Sequence, residues 1–424
     1  MTAVFHDIHT AVPRLDGVPT VAVLGMGYVG LPTSLALREA GFPVLGIDIS
    51  ASRLEDIRTG EADLLDRDRP RLDEALGSSL LALTTETPTL SQADAVIIAV
   101  PTPVDHDLNP DLRAVRSACA DVVANARAGQ TLILTSTTYV GTTRDLLVEP
   151  LTEKGFTVGT DIHVAFAPER INPGDALWEQ AAVPRVVGGV TPACAEAATR
   201  VLAATASKLH VVSSVEAAEF TKLQENTFRA VNLAFANEMA AAAGFYGVDP
   251  IEVVEAASTK PYGYLAHYPG PGVGGHCIPV DPYYLLTPLR EAGIDTPVTE
   301  NAMAGVANRP NQVADRAMEL AGTDAPKILL VGVAYKPGVE DFRESPALKI
   351  AERLAERGAD VAYHDPMVAS VGELSNTPDP DPADYDLVVV AVVHPGFSYE
   401  FLADAPRVLD ATYKTPGGKV RHSL

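Results

Sequence analysis

Thr20-Val21-Ala22-Val23-Leu24-Gly25-Met26-Gly27-Tyr28-Val29-Gly30 is a short apolar, β-branched run that ends in glycines spaced G-x-G-x-x-G. Leu31 to Ala40 follow with a helical pattern that closes at Gly41, and Pro43-Val44-Leu45-Gly46-Ile47 reads as a second strand ending in Asp48. A glycine triplet alone is a weak signal. Strand, glycine turn, helix, strand and terminal acid in this order are a dinucleotide-binding fingerprint. Gly25 permits the tight turn, Gly27 admits a pyrophosphate against the backbone, and Gly30 lets the helix pack on the strand. Tyr28 and Val29 sit inside the loop, and the helix N-terminus beyond it offers amide donors to phosphate. Asp48 suits the ribose hydroxyls and repels a 2′-phosphate, which favours NAD over NADP. Arg53, five positions on, is placed for the adenosine phosphate side.

Working outward, more runs read as parallel strands: Leu80 to Thr84, Ala93 to Val100, Thr131 to Ser136 and His163 to Phe166. Doubly wound sheets hold ligands at the carboxyl ends of their strands. Three polar strand ends therefore become candidates: Thr102 in Pro101-Thr102-Pro103, Thr137 after Ser136, and Glu169-Arg170 after Pro168.

With 424 residues the chain exceeds one core and predicts two or three domains. Its net charge of −23 argues against nucleic acid or an anionic membrane as partner. The three cysteines, Cys119, Cys194 and Cys277, are odd in number and far apart, so neither a disulfide framework nor a metal cluster is expected. No apolar run approaches the roughly 20 residues of a membrane span, and the polar start of the chain has no signal-peptide stretch. The expected location is cytoplasmic.

From Ser214 to Gly244 the pattern predicts one long helix, capped by Ser213 or Ser214, about 45 Å in length at 1.5 Å per residue. Lys222 and Asn226, four apart, share a face. Phe220, Leu223, Phe228, Val231 and Phe235 around them suggest a helix buried on several sides, where both donors need partners; stabilising an oxyanion uses both. Gly272-Val273-Gly274-Gly275-His276-Cys277-Ile278-Pro279-Val280-Asp281 then places a thiol behind glycines that let a ligand approach the backbone, with a carboxylate four positions later. A helix after Asn308-Arg309-Pro310, the strand Lys327 to Gly332, a helix from Ala347 to Arg357 and strands ending at Asp365, Val393 and Leu409 predict a second doubly wound unit. It lacks the full glycine fingerprint. Lys336 and Arg343 cluster at its first strand end as an anion site.

The ordered motifs GMGYVGLP from Gly25, PTP from Pro101, STTYVGTT from Ser136, APERINPG from Ala167, the Lys222/Asn226 helix, GVGGHCIPVDP from Gly272 and GVAYKPGVEDFRESP from Gly332 resemble the UDP-glucose/GDP-mannose dehydrogenase family. The match spans about Val21 to Leu409. The PERINPG form and TKPYGYLAHYPGPG from Thr259 look most like its UDP-N-acetylhexosamine branch. The resemblance implies two Rossmann-like domains, an NAD-binding one over 1–210 and a UDP-sugar-binding one over 313–424. A helical middle domain over 211–312 joins them and supports a homodimer. It implies NAD-dependent oxidation of a primary alcohol to a carboxylate, using two NAD⁺. Cys277 would attack the C6 aldehyde, Lys222 and Asn226 would stabilise the C6 oxyanions, and Asp281 with Glu169 would position water that Thr137 helps to order. Lys336, Arg170, Tyr268, Gly272 and Gly274 would contact the UDP-sugar, with Glu169, Lys222 and Asn226 also touching it, and Arg343 would contact NAD.

Two other readings compete with a UDP-N-acetylhexosamine enzyme. The first is a UDP-glucose 6-dehydrogenase. The second is a two-electron dehydrogenase of the 3-hydroxyacid type, which needs no covalent thiol and has no use for a second nucleotide-type domain. A non-catalytic NAD sensor would have lost Cys277, Lys222 or Asn226.

Overall fold

The structure, a computed structural model, describes residues 15–64, 66–105, 108–170, 182–275, 277–372, 374–415, 421–422 and 424. Ile171 to Gly174 of the APERINPG motif and His276 lie outside the described residues. The chain forms two compact units: one takes the chain up to Gln224 together with Tyr283–Pro288, the other Glu225–Pro282 and Leu289–Leu424.

The first unit holds an eight-stranded sheet. In chain order its strands are β1 (Val21–Leu24), β2 (Val44–Ile47), β3 (Leu81–Thr84), β4 (Ala95–Ile98), β5 (Thr131–Leu134), β6 (His163–Phe166), β7 (Arg185–Gly189) and β8 (Leu209–Val212). Their spatial order is β3-β2-β1-β4-β5-β6-β7-β8, with every pairing parallel except β6 with β7. Strands buried on both faces need continuous apolar runs rather than alternation, and β1, β2, β4 and β5 are buried at all four positions. The order reverses at β1, between β2 and β4, so the loops leaving β1 and β4 border the switch-point crevice.

The second unit repeats the plan with six strands. These are β9 (Lys327–Val331), β10 (Asp360–His364), β11 (Ser375–Asn376), β12 (Leu387–Val390), β13 (Val408–Asp410) and β14 (Arg421–His422), in the spatial order β11-β10-β9-β12-β13-β14, all parallel. The molecule is therefore α/β with two doubly wound sheets, and a long helix, Val215–Phe245, lies between them in sequence. Ser214 caps that helix through its hydroxyl, which accepts from Ala217 N at 3.2 Å.

Two expectations are corrected. The helix placed after Pro310 runs instead from Pro297 to Ala321 with Pro310 inside it, because a buried helical context overrides a local breaker. The long helix is less covered than its aromatics suggest: Leu223 is buried, but Phe220, Phe228 and Phe235 are 44%, 46% and 53% exposed. The aromatics lie on faces that this single chain leaves uncovered.

Candidate active site

In the first unit the glycine turn leaves β1 as the sequence requires. Gly25 has φ +95°, and a Cβ there would stand 2.6 Å from Ala99 O at the end of β4. A Cβ on Gly30 would fall 1.7 Å from Gly25 O. Gly27 differs, since no atom lies within 4 Å of its Cβ position, leaving an open backbone face. Asp48 accepts from Met26 N at 2.8 Å and from Ser50 N at 2.9 Å, and Arg53 Nε donates to Met26 O at 3.0 Å. The Met26 backbone is thus held at its N–H and its C=O, which fixes the turn. A carboxylate has about four lone-pair sites, so two amide bonds leave Asp48 capacity for ribose hydroxyls. Ile49, 87% exposed beside it, offers an apolar surface that the sequence reading passed over. An open glycine face, an acid at the strand end and an adjacent apolar side chain fit a dinucleotide. Val29 precedes the helix Gly30–Glu39, and the Tyr28 hydroxyl bonds Asp63.

The other strand ends of this unit are braced by contacts remote in sequence. Thr102 lies in the segment after β4 whose Pro103 O accepts from the buried Tyr284 hydroxyl at 3.1 Å. Ser136 Oγ donates to Val100 O at 2.7 Å and draws the start of the Thr137 loop to the end of β4. The far side of that loop is pinned by Glu219, 1% exposed on the long helix. Its carboxylate accepts from Gly141 N at 2.6 Å, Thr143 N at 2.9 Å and Thr143 Oγ1 at 2.6 Å. Burial raises the Glu219 carboxyl above its usual range despite these bonds. Lys222 lies three residues along the same helix, half-buried. Glu169 follows β6 with Arg185 Nη1 at 3.5 Å, both side chains largely covered. Arg170 N bonds Glu169 Oε1 at 2.8 Å, and Arg170 Nη1 bonds Pro184 O at 2.6 Å. Arg185 and Glu219 were not singled out in the sequence, because neither carries a motif.

In the second unit Cys277, Asp281 and Asn226 come together. Cys277 O accepts from Val280 N at 3.1 Å and Asp281 N at 2.7 Å, and Asp281 opens the helix Asp281–Glu291. The Asn226 amide donates to the Asp281 carboxylate, which is 2% exposed. Cys277 is exposed and in no disulfide, whereas Cys119 and Cys194 are buried, and burial pushes the Cys119 thiol up to about 12. A thiol reacts as thiolate, so exposure singles out Cys277.

The preceding loop is fitted against protein. A Cβ on Gly272 would lie 2.7 Å from Pro346 Cβ, and one on Gly274 would lie 2.7 Å from Pro346 Cδ and 2.9 Å from Glu344 O. Packing against the segment after β9 therefore requires both positions to be glycine. Upstream, Gly270 N donates to Asn237 Oδ1 at 2.9 Å, and Gly270 O accepts from Arg309 Nε at 3.0 Å. Tyr268 is 44% exposed. Lys336 is half-buried in the loop after β9. Arg343 is paired with Asp341 through Nη2 at 2.7 Å and Nε at 2.9 Å, so the expected two-cation cluster carries its own carboxylate.

Three family descriptions match the chain in order: the UDP-glucose/GDP-mannose dehydrogenase family NAD binding domain over residues 19–206, its central domain over 216–308 and its UDP binding domain over 329–415. The chain is 35% identical over 391 residues to the UDP-N-acetyl-D-mannosamine dehydrogenase of Pyrococcus horikoshii, covering 89% of this chain and 90% of that protein. The solved structure of UDP-D-ManNAc dehydrogenase from Pyrococcus horikoshii superposes with a TM-score of 0.87 at 32% identity, covering 95% of this chain and 98% of the other. A UDP-glucose dehydrogenase from Pyrobaculum islandicum superposes with a TM-score of 0.86 at 28% identity, over 97% and 99% of the two chains. From sheet order, glycine turn and these matches together, the chain belongs to the UDP-glucose/GDP-mannose dehydrogenase family and is an NAD-dependent nucleotide-sugar dehydrogenase acting on a CH–OH group.

Proposed function

We propose that the chain oxidises the C6 hydroxymethyl of a UDP-N-acetylhexosamine, UDP-N-acetylmannosamine or UDP-N-acetylglucosamine, to a carboxylate in two successive two-electron steps through Cys277. The observation that carries this reading is the turn that joins exposed Cys277 to Asp281, with Asn226 on the Asp281 carboxylate. NAD, when bound, supplies the hydride acceptor for each step. The first oxidation leaves a C6 aldehyde. The Cys277 thiolate adds to its carbonyl carbon to form a thiohemiacetal, whose oxyanion Lys222 and Asn226 stabilise as donors. Loss of hydride from that carbon gives a thioester. Water then attacks it, releasing the thiolate, the carboxylate and protons that Asp281 and Glu169 accept, with Thr137 ordering the water.

On the cofactor side the roles fall to Gly25, Gly27, Tyr28, Val29, Gly30, Asp48, Arg53, Thr102 and Arg343. Arg170, Tyr268, Gly272, Gly274 and Lys336 contact the nucleotide sugar. The UDP-N-acetyl-D-mannosamine dehydrogenases among the relatives support a UDP-sugar, and the TKPYGYLAHYPGPG stretch supports an acetamido group at C2 over the UDP-glucose alternative. We divide the chain into an NAD domain (1–210), a helical middle (211–312) and a UDP-sugar domain (313–424), acting as a cytoplasmic homodimer. The exposed aromatics of the long helix support the dimer.

The test is stoichiometry across a panel of UDP-N-acetylmannosamine, UDP-N-acetylglucosamine, UDP-glucose and GDP-mannose. Two NADH per UDP-N-acetylhexosamine are expected, and Cys277→Ser should stop before acid forms. One NADH per sugar with release of free aldehyde or ketone would sink the covalent mechanism.

A further inference from the structure

The second sheet carries a buried polar chain whose members come from three strand ends. Asp365 follows β10, His394 lies beyond β12, and Gly338 lies in the loop that leaves β9. In the sheet β9 stands between β10 and β12. The connection from β9 goes to β10 on one side, and the sheet later continues at β12 on the other. This is the switch point where carboxyl-end loops part and doubly wound folds hold ligands.

The Asp365 and His394 side chains are both fully buried. His394 Nε2 lies 3.2 Å from Asp365 Oδ2, and Gly338 N donates to His394 Nδ1 at 3.0 Å. A backbone amide can only donate, so Nδ1 is the acceptor and Nε2 carries the ring proton toward Asp365. Asp365 is itself fixed by four amides: Val333 N at 2.7 Å and Ala334 N at 3.2 Å on Oδ2, Met367 N at 2.8 Å and Val368 N at 3.1 Å on Oδ1. His394 N donates to the Tyr399 hydroxyl at 2.8 Å, which holds the backbone behind the ring. The imidazole therefore has one orientation and one tautomer. Among the described residues of the β9 loop, the ring bonds the Gly338 amide. If that loop swung away, a buried ring nitrogen would lose its donor, which native interiors avoid.

We propose that His394 is a positioning residue that latches the turn Lys336–Gly338 across the switch point, so that Lys336 is presented to the nucleotide diphosphate of the substrate. This rests on the reading of Lys336 as a substrate contact. His394 is buried and acts only through Gly338, so its effect falls on binding of the nucleotide sugar. NAD affinity is left alone.

Two variants separate the ends of the ring. His394→Gln can keep a donor to Asp365 while losing the acceptor for Gly338; His394→Asn can keep the acceptor while losing Asp365. Steady-state kinetics of the full-length enzyme are measured for both, with thermal unfolding alongside and Lys336→Ala as reference. His394→Gln should raise KM for the UDP-sugar about five- to tenfold, the worth of one hydrogen bond, with kcat and the KM for NAD near wild type. His394→Asn should recover most of that loss. Equal losses in both variants that follow their melting temperatures, or an unchanged UDP-sugar KM in His394→Gln, would overturn the latch. If Lys336→Ala also leaves that KM unchanged, the reading of Lys336 falls with it; if Lys336→Ala raises KM while His394→Gln does not, only the latch fails.

Discussion

Gly274 illustrates how a small residue can answer to a constraint that its own motif does not show. Its smallness is visible in the sequence, and the expectation was space for a ligand. Its Cβ position is blocked by Pro346 Cδ and Glu344 O, contacts some 70 residues away that no local pattern reports. Gly274→Ala should consequently destabilise the protein by about 1–3 kcal/mol, the usual cost of overpacking, seen as a lower urea midpoint even without substrate. An unchanged midpoint would show that the loop relaxes freely. Cys277 was legible differently: exposure separates it from Cys119 and Cys194, but the sequence offered only its motif.

At the scale of elements, strands were the most legible feature, since parallel strands buried on both faces write themselves as apolar runs. β1, β2, β4, β5 and β9 all fall within the runs that predicted them. Helix boundaries near proline were less so, as the helix through Pro310 shows. Least legible were the braces between elements. Glu219 looks like one more helix glutamate, yet it takes three hydrogen bonds from the loop that carries Thr137. Removing it leaves two amides and a hydroxyl without that acceptor. Glu219→Ala should therefore lower stability by about 2–4 kcal/mol and reduce kcat more than it raises the KM for NAD. The check is chemical denaturation together with steady-state kinetics, and a kcat equal to wild type would mean that the loop holds Thr137 unaided.

For the whole molecule, the order of two nucleotide-type units around a helical segment was readable because each announces itself by strand, turn and helix. What a single chain's sequence could not separate was aromatic residues meant for its own core from those left at its surface. Phe228 and Phe235, seven positions apart on one face of the long helix, are 46% and 53% exposed, and Phe245 near its end is 84% exposed. Light scattering should give twice the 44.7 kDa chain mass. Phe235→Glu should shift the mass toward that of one chain, while a monomeric wild-type protein would refute the dimer.

The acid that follows the second strand of each sheet makes the same joint in both. Asp48 accepts from Met26 N, the residue after Gly25. Asp365 accepts from Val333 N, the residue after Gly332. Each glycine has a positive φ and a Cβ position blocked by a carbonyl from the strand end across the switch point, Ala99 O in one case and Val392 O in the other. The two sheets thus share the same local joint between first and second strand. In the first sheet the acid is half-exposed and keeps lone pairs for a visitor; in the second the carboxylate is buried against His394. Substituting Asn at each acid compares the same structural joint with an open face and with a buried histidine partner, a control that the molecule carries within itself.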